Sequence, residues 1–160
     1  MTSKRIPIIL GFLLLIFFVF FSSRANETNR TTPDARIMSG TGKRELLSPS
    51  GHIMNVEIAD TSERRTLGLG GRDTIGDDEG MLFVFPKSDF YGFWMKDMRF
   101  PLDIVWLDED FKVVYVKENV SPNTYPEIFF PQTKAVYVLE MKGNRAENSG
   151  VVLGSVLLLK

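Results

Sequence analysis

The sequence predicts a mainly β fold: a compact sandwich or barrel-like domain with one short helix, preceded by an N-terminal apolar helix. Three observations carry that prediction. Short apolar or alternating segments recur from His52 to the C-terminus and are separated by Gly, Pro and Asp clusters. A single stretch, following Ala59, carries both a helix start and a helix stop. The one long apolar run, Ile6 to Phe21, lies at the N-terminus behind Lys4 and Arg5.

That N-terminal run has the layout of an export signal or a membrane anchor, with a basic flank, a greasy core and then small polar residues. Its 16 residues are long for a signal core and short of the roughly 20 that span a bilayer. Ser23-Arg24-Ala25 places small residues where a cleavage site needs them. The basic flank favours a chain lying outside the cytoplasm. We therefore divide the sequence into residues 1–25 as signal or anchor, 26–43 as a polar linker and 44–160 as the folded domain. The linker is rich in Thr, Asn, Arg, Gly and Ser and buries too little apolar surface to fold.

Each element of the domain follows from local chemistry. His52 to Ala59 alternates and reads as a strand. Asp60, with Glu63 three residues on, has the form of a capping box, and Gly68, Gly70 and Gly71 stop the helix soon after. Arg72 to Gly80 is an acidic loop. Met81 to Phe85 is an apolar strand ended by Pro86, and Gly92 to Met98 is a further strand. Leu102 to Leu107 and Phe111 to Val116 form a hairpin around Asp108-Glu109-Asp110. Lys117 to Lys134 holds three of the eight prolines and reads as a long irregular loop. Ala135 to Met141 is a strand, Gly143 to Gly150 a turn or short helix, and Ser155 to Lys160 a closing strand. Six or seven strands with one helix make a sandwich or barrel.

Composition excludes several chemistries. With no cysteine, disulfides, thiolate catalysis and cysteine-ligated metals are absent. One histidine rules out a multi-histidine metal site. Without Lys4, Arg5 and Arg24, 16 basic residues face 20 acidic ones, a net charge of −4 that disfavours nucleic acid as a partner. Asp108-Glu109-Asp110 lacks the spaced oxygens and glycine of a calcium loop. Gly68-Leu69-Gly70-Gly71 follows a helix, whereas a phosphate loop precedes one. No cofactor motif is present.

Five blocks in order carry a resemblance. They are Glu63-Arg64-Arg65-Thr66-Leu67-Gly68-Leu69 with Arg72, Gly80-Met81-Leu82-Phe83-Val84-Phe85, Phe93-Trp94-Met95-Lys96-Asp97-Met98, Pro101-Leu102-Asp103-Ile104, and Val138-Leu139-Glu140. Together they resemble the Domain of Unknown Function 192 family over about Ile53 to Leu158. The resemblance implies a compact, mainly β fold, often behind an export signal, with no established activity. The chain departs from the family at Gly70, where a Met is usual, and at Asp97-Met98, where Asn-Thr is usual.

Two carboxylates stand out against the strand alternation. Asp103 shares a face with Val105 and Leu107, and Glu140 shares one with Val136 and Val138. A carboxylate at the end of an apolar face needs hydrogen bonds, a cation or a raised pKa. Its commonest use is to tie a loop, and ligand contact is the sharper alternative. Phe90, Tyr91, Phe93, Trp94, Phe100 and Trp106 form an aromatic cluster, mostly core. Trp94, beside Lys96 and Asp97, suits a sugar or peptide that stacks on a ring and is oriented by polar groups.

The functional expectation is a non-catalytic binding or accessory module of the cell envelope, acting on a small polar ligand or an envelope protein, with a membrane contact through residues 6–21 if that segment is retained. The site would centre on Trp94, Lys96, Asp97 and Asp103, supported by Arg72 and Glu140. The absence of a nucleophile, metal cluster or cofactor motif favours binding over catalysis. One alternative is an enzyme acting on envelope glycans through Asp103 and Glu140 or Asp97. A second is a copper-handling protein using three or more of Met54, Met81, Met95, Met98, Met141 and His52.

Overall fold

In the computed structural model, residues 42–160 are described. The apolar run Ile6–Phe21 and nearly all of the polar linker lie outside them. Among the described residues the strands are β1 (Lys43–Leu47), β2 (Ile53–Ala59), β3 (Glu79–Asp89), β4 (Leu102–Leu107), β5 (Val113–Val120), β6 (Ala135–Lys142) and β7 (Leu158–Leu159), and the α-helix is α1 (Ser62–Leu67). They form a single seven-stranded sheet in the order β5-β4-β6-β3-β2-β1-β7. Only β2 and β3 run parallel, which is the pair whose connection carries α1.

The sheet curls into a half-barrel. Lys112 bridges Val156, Val113 N donates to Ser155 O at 2.8 Å and Leu157 N donates to Phe111 O at 3.0 Å, so the chain before β7 meets the start of β5. Each face of the sheet then has its own core. The inner face buries Leu46, Met54, Val56, Leu82, Leu139 and Met141. The outer face buries Met81, Phe83, Ile104, Trp106 and Val138 under the segments that follow β3 and β5. The three central strands are therefore apolar on both faces, and β4 is buried along its whole length.

Several local expectations change. The helix cap is Thr61, whose side-chain oxygen accepts from Arg64 N at 3.2 Å. Asp60 pairs instead with Arg64, 3.1 Å away. β3 runs through Pro86 because its ladder to β6 is interrupted between Val84 and Asp89, where the missing N–H of proline costs nothing. Gly92 to Met98 is not a strand, and only Phe93 bridges, to Phe129. β5 extends to Val120, so the irregular loop starts at Ser121. β1 precedes the first expected strand, and β7 is only two residues long. Among the described residues no helix is long and apolar enough to cross a membrane.

Candidate functional site

A cleft of about 1380 Å³ opens on the outer face of the sheet. One wall is α1 with the turn Gly68 to Gly71, the other is the arm Tyr91 to Arg99, and Phe83, Phe85 and Glu140 lie between them. Each wall is fixed by specific bonds. Arg65 donates from Nη1 to the carbonyls of Asp60 (2.6 Å) and Val84 (2.9 Å), tying the helix to β3. Its guanidinium also lies 5.2 Å from the centre of the Phe85 ring. Phe85 in turn stacks on Tyr91 with centroids 3.5 Å apart.

The arm is irregular yet held. Phe93 exchanges both backbone bonds with Phe129, at 2.9 and 2.8 Å. The buried Trp106 indole donates to Tyr91 O at 2.8 Å. At Gly92 a Cβ would sit 2.6 Å from the Phe130 ring and 2.7 Å from Ile128, so a larger residue here would have to displace those two side chains. Because Phe93 and Met95 turn inward and are buried, Trp94 between them turns outward. Its ring is 49% exposed and meets Tyr125 edge-on at 6.0 Å. The two walls are joined where Gly71 N donates to Asp97 O at 2.8 Å. Asp97 has φ +58°, a left-handed conformation that Asn and Asp tolerate best. That explains an amide or carboxylate at this position by backbone geometry, without a chemical role for the side chain.

Glu140 is the unusual group. In β6 it pairs with Met81 on one side and Ile104 on the other. Residues paired across a ladder share a face, so Glu140 stands on the outer face among apolar neighbours. It is 5% exposed and lines the cleft, and no described residue hydrogen-bonds to its carboxyl. Burial alone pushes its pKa up to about 8, so at neutral pH the group is mainly the neutral acid, one donor and acceptors. Gly80 makes this packing possible, since a Cβ there would be 2.5 Å from the Glu140 carbonyl oxygen.

The other expected site residues divide. Lys96 and Asp97 line the cleft and are exposed. Arg72 sits beside it and is committed to Glu57 by a bidentate pair, 2.7 and 2.8 Å, which holds the Glu57 carboxyl below its usual range. Asp103 must be corrected. It pairs with Met141, which puts it on the inner face, with the sheet between it and Glu140. There Oδ1 accepts from Asn119 N (2.7 Å) and Asn144 N (3.0 Å), and Oδ2 from Arg145 N (2.7 Å) and Ala146 N (2.8 Å). Four backbone amides use its acceptor sites, so Asp103 ties the turn after β6 and has no place in the cleft.

The same register removes Asp103 and Glu140 as a catalytic pair, because one substrate cannot reach both faces. The methionines are divided likewise. Met54 and Met141 pack inside the half-barrel, whereas Met81, Met95 and Met98 pack on the outer face among aromatic and aliphatic side chains. His52 Nε2 lies 3.0 Å from Asp78 Oδ1. Among the described residues no three His, Asp or Glu side chains gather as a metal site. In the sequence Arg65 stands out only as part of one of the five blocks, and the glycines as a helix stop, yet they build a wall of the cleft. Their signal was present in the order Arg65, then Gly68, Gly70 and Gly71, but its use depends on Val84 and Asp97.

Comparison with known proteins agrees with this architecture. Residues 45–159 match the model of the family described as Uncharacterized ACR, Domain of Unknown Function 192. A crystal structure from Sinorhizobium meliloti 1021, described as a candidate transcription regulator, is 31% identical with a TM-score of 0.67. The match covers 73% of this chain and 92% of that one. A protein of unknown function from Novosphingobium aromaticivorans is 30% identical with a TM-score of 0.66, over 72% of this chain and 83% of that one. No protein of curated function matches the chain. The five sequence blocks, the half-barrel and the match over nearly all of the described residues lead to one conclusion: this chain belongs to the Domain of Unknown Function 192 family, whose function is uncharacterised.

Proposed function

We propose that the protein is a non-catalytic binding module of the cell envelope, lying outside the cytoplasm and exported or anchored through residues 6–21, and that the cleft takes a small polar ligand. The observation that supports a binding role is Glu140. A buried carboxyl without a partner costs stability, and a ligand that hydrogen-bonds to it recovers part of that cost. Trp94 and Lys96 supply the rim, one as a stacking surface and one as a cation with no ion pair to a described residue. A net −4 outside the N-terminal segment opposes phosphate binding, which argues against carrying the regulator description of the Sinorhizobium relative over to this chain.

Two measurements test this. Protease accessibility of the C-terminal part in intact cells and in spheroplasts reads its location. Digestion only after the cytoplasm is opened would refute export. Thermal melting of the full chain against small sugars, sugar acids and amines reads the cleft. A probe at 100 times its Kd raises stability by about 2.7 kcal/mol, and the gain is expected to vanish in Trp94→Ala. A cooperative melt indifferent to every probe would overturn the small-ligand role and favour an envelope protein as partner.

A further inference from the structure

We propose that the ligand is a neutral hydroxylated ring, a saccharide unit, which lies against Trp94 and offers a hydroxyl to the Glu140 carboxyl. This rests on the cleft being a binding site, as proposed above. The geometry narrows the ligand by elimination. A wholly apolar ligand would seal Glu140 away from water and leave its carboxyl unpaired, which carries a desolvation penalty. A cationic ligand would have to ionise Glu140 in a setting that disfavours the charge, and would lose its own hydration as well. Buried ion pairs formed in that way return little net free energy.

The surrounding charges do not change that balance. On the outer face Glu57 and Arg72 neutralise each other. On α1, Arg65 is held by two carbonyls and Glu63 is exposed and accepts from Ser62 Oγ at 3.0 Å. On the arm, Arg99 is paired with Asp73, leaving Lys96 and Asp97 as opposite charges at the rim. Among the described residues no cation is positioned to hold Glu140 ionised, and Lys96 and Asp97 leave no local excess of negative charge at the rim to draw a cation in. A neutral hydroxyl can both donate to and accept from a protonated carboxyl without moving a charge. Around it the cleft presents Trp94 and Tyr91, rings that suit the C–H faces of a sugar, while Phe85 is covered by Tyr91 and Arg65. Trp94 is held at the rim by its buried chain neighbours Phe93 and Met95.

The test is isothermal titration of the full chain at pH 6 and pH 9. The probes are methyl glucoside and N-acetylglucosamine with its disaccharide as neutral sugars, galacturonate as the anion, and glucosamine and choline as cations. A neutral sugar is expected to bind at pH 6 and about tenfold more weakly at pH 9, in proportion to the fraction of neutral carboxyl. Glu140→Gln, which keeps the neutral hydrogen-bonding shape, should bind equally at both pH values. Glu140→Leu and Trp94→Ala, checked for cooperative melting, should each lose tenfold or more. Preferential binding of a cation, strongest at pH 9 and abolished in Glu140→Gln, would overturn the neutral ring as ligand while leaving the cleft as a site. So would binding of galacturonate alone. Binding of no probe to a cooperatively folded chain would overturn both.

Discussion

Glu140 makes the stability of the protein depend on pH in a direction opposite to most carboxylates. Its pKa is raised from 4.5 to about 8 in the folded chain. Between those values the native state holds a proton that the unfolded state has released, so the slope of unfolding free energy against pH is negative. Stability from this group is complete below about pH 4.5 and falls until the pH passes the folded value. The separation is about 3.5 pH units at 1.36 kcal/mol each, so the loss reaches about 5 kcal/mol by pH 8 and about 3 by pH 7. Glu140→Gln keeps the volume and has no proton to lose. Its melting temperature should equal that of the wild type near pH 4.5 and exceed it at pH 8, on the order of 10–20 °C for a fold of this size. Because burial is the cause and no partner charge contributes, 0.5 M salt should leave the difference intact. Circular dichroism melts of both proteins at half-unit intervals from pH 4.5 to 9 read it directly. Parallel curves across that range would refute the assignment of Glu140 as a buried neutral acid.

Asp103→Ala leaves four backbone amides without their acceptor and is expected to cost at least about 4 kcal/mol, read by urea denaturation. Asp103→Asn turns an N–H group toward donors and should cost about half as much, without altering the pH slope set by Glu140 on the other face. Gly80→Ala drives a Cβ into the Glu140 carbonyl at 2.5 Å and must spread β3 from β6, a loss of about 2–3 kcal/mol visible as faster amide exchange in both strands. Arg65→Ala breaks two charge-assisted bonds to carbonyls and should cost about 2 kcal/mol. Arg65→Lys should recover only part of that, because an ammonium can donate to both carbonyls but lacks the planar guanidinium that lies over the Phe85 ring. Arg72→Ala should cost about 1 kcal/mol or less, and less still in high salt, since both partners are more than a third exposed.

The regular part of this fold was legible because its sequence signals are local. The continuous apolar runs in β3 and β4 mark strands covered on both faces, and the turns around them are written in Asp, Pro and Gly. The arm from Gly92 to Met98 was not legible as an arm. Its alternation of Phe93, Met95 and intervening residues fits a strand, and what makes it otherwise is the Trp106 indole on Tyr91 O and the Phe129 bridge. Both partners lie 15 or more residues away. Thr61 displaced Asp60 as the helix cap for a similar reason, since Asp60 is taken by Arg64. β1 was missed because its inward signal is essentially Leu46 alone, paired with Met54. The arm and the helix turn are also the two walls of the cleft, so the parts of the fold that hold the site are those that depend most on distant contacts.

The two buried carboxylates show what a single strand cannot disclose. Asp103 and Glu140 carry the same local signal, an acid on an apolar face. Strand periodicity fixes which neighbours each shares a face with, but not whether the two faces are the same one. That depends on register, and a shift of one residue between β4 and β6 would bring both acids to one side. The observed ladder pairs Asp103 with Met141 and Glu140 with Ile104, so they part. Asp103 meets the amides of the turn after β6 and of Asn119 near the end of β5, with Asn119 and Asn144 both at positive φ (48° and 63°). Glu140 meets Met81 and Ile104, which offer no donor. An acid whose acceptor sites are used by the backbone is bound to the fold, and changing it measures stability. An acid that the fold buries at a cost and leaves without a partner is the one available to a ligand.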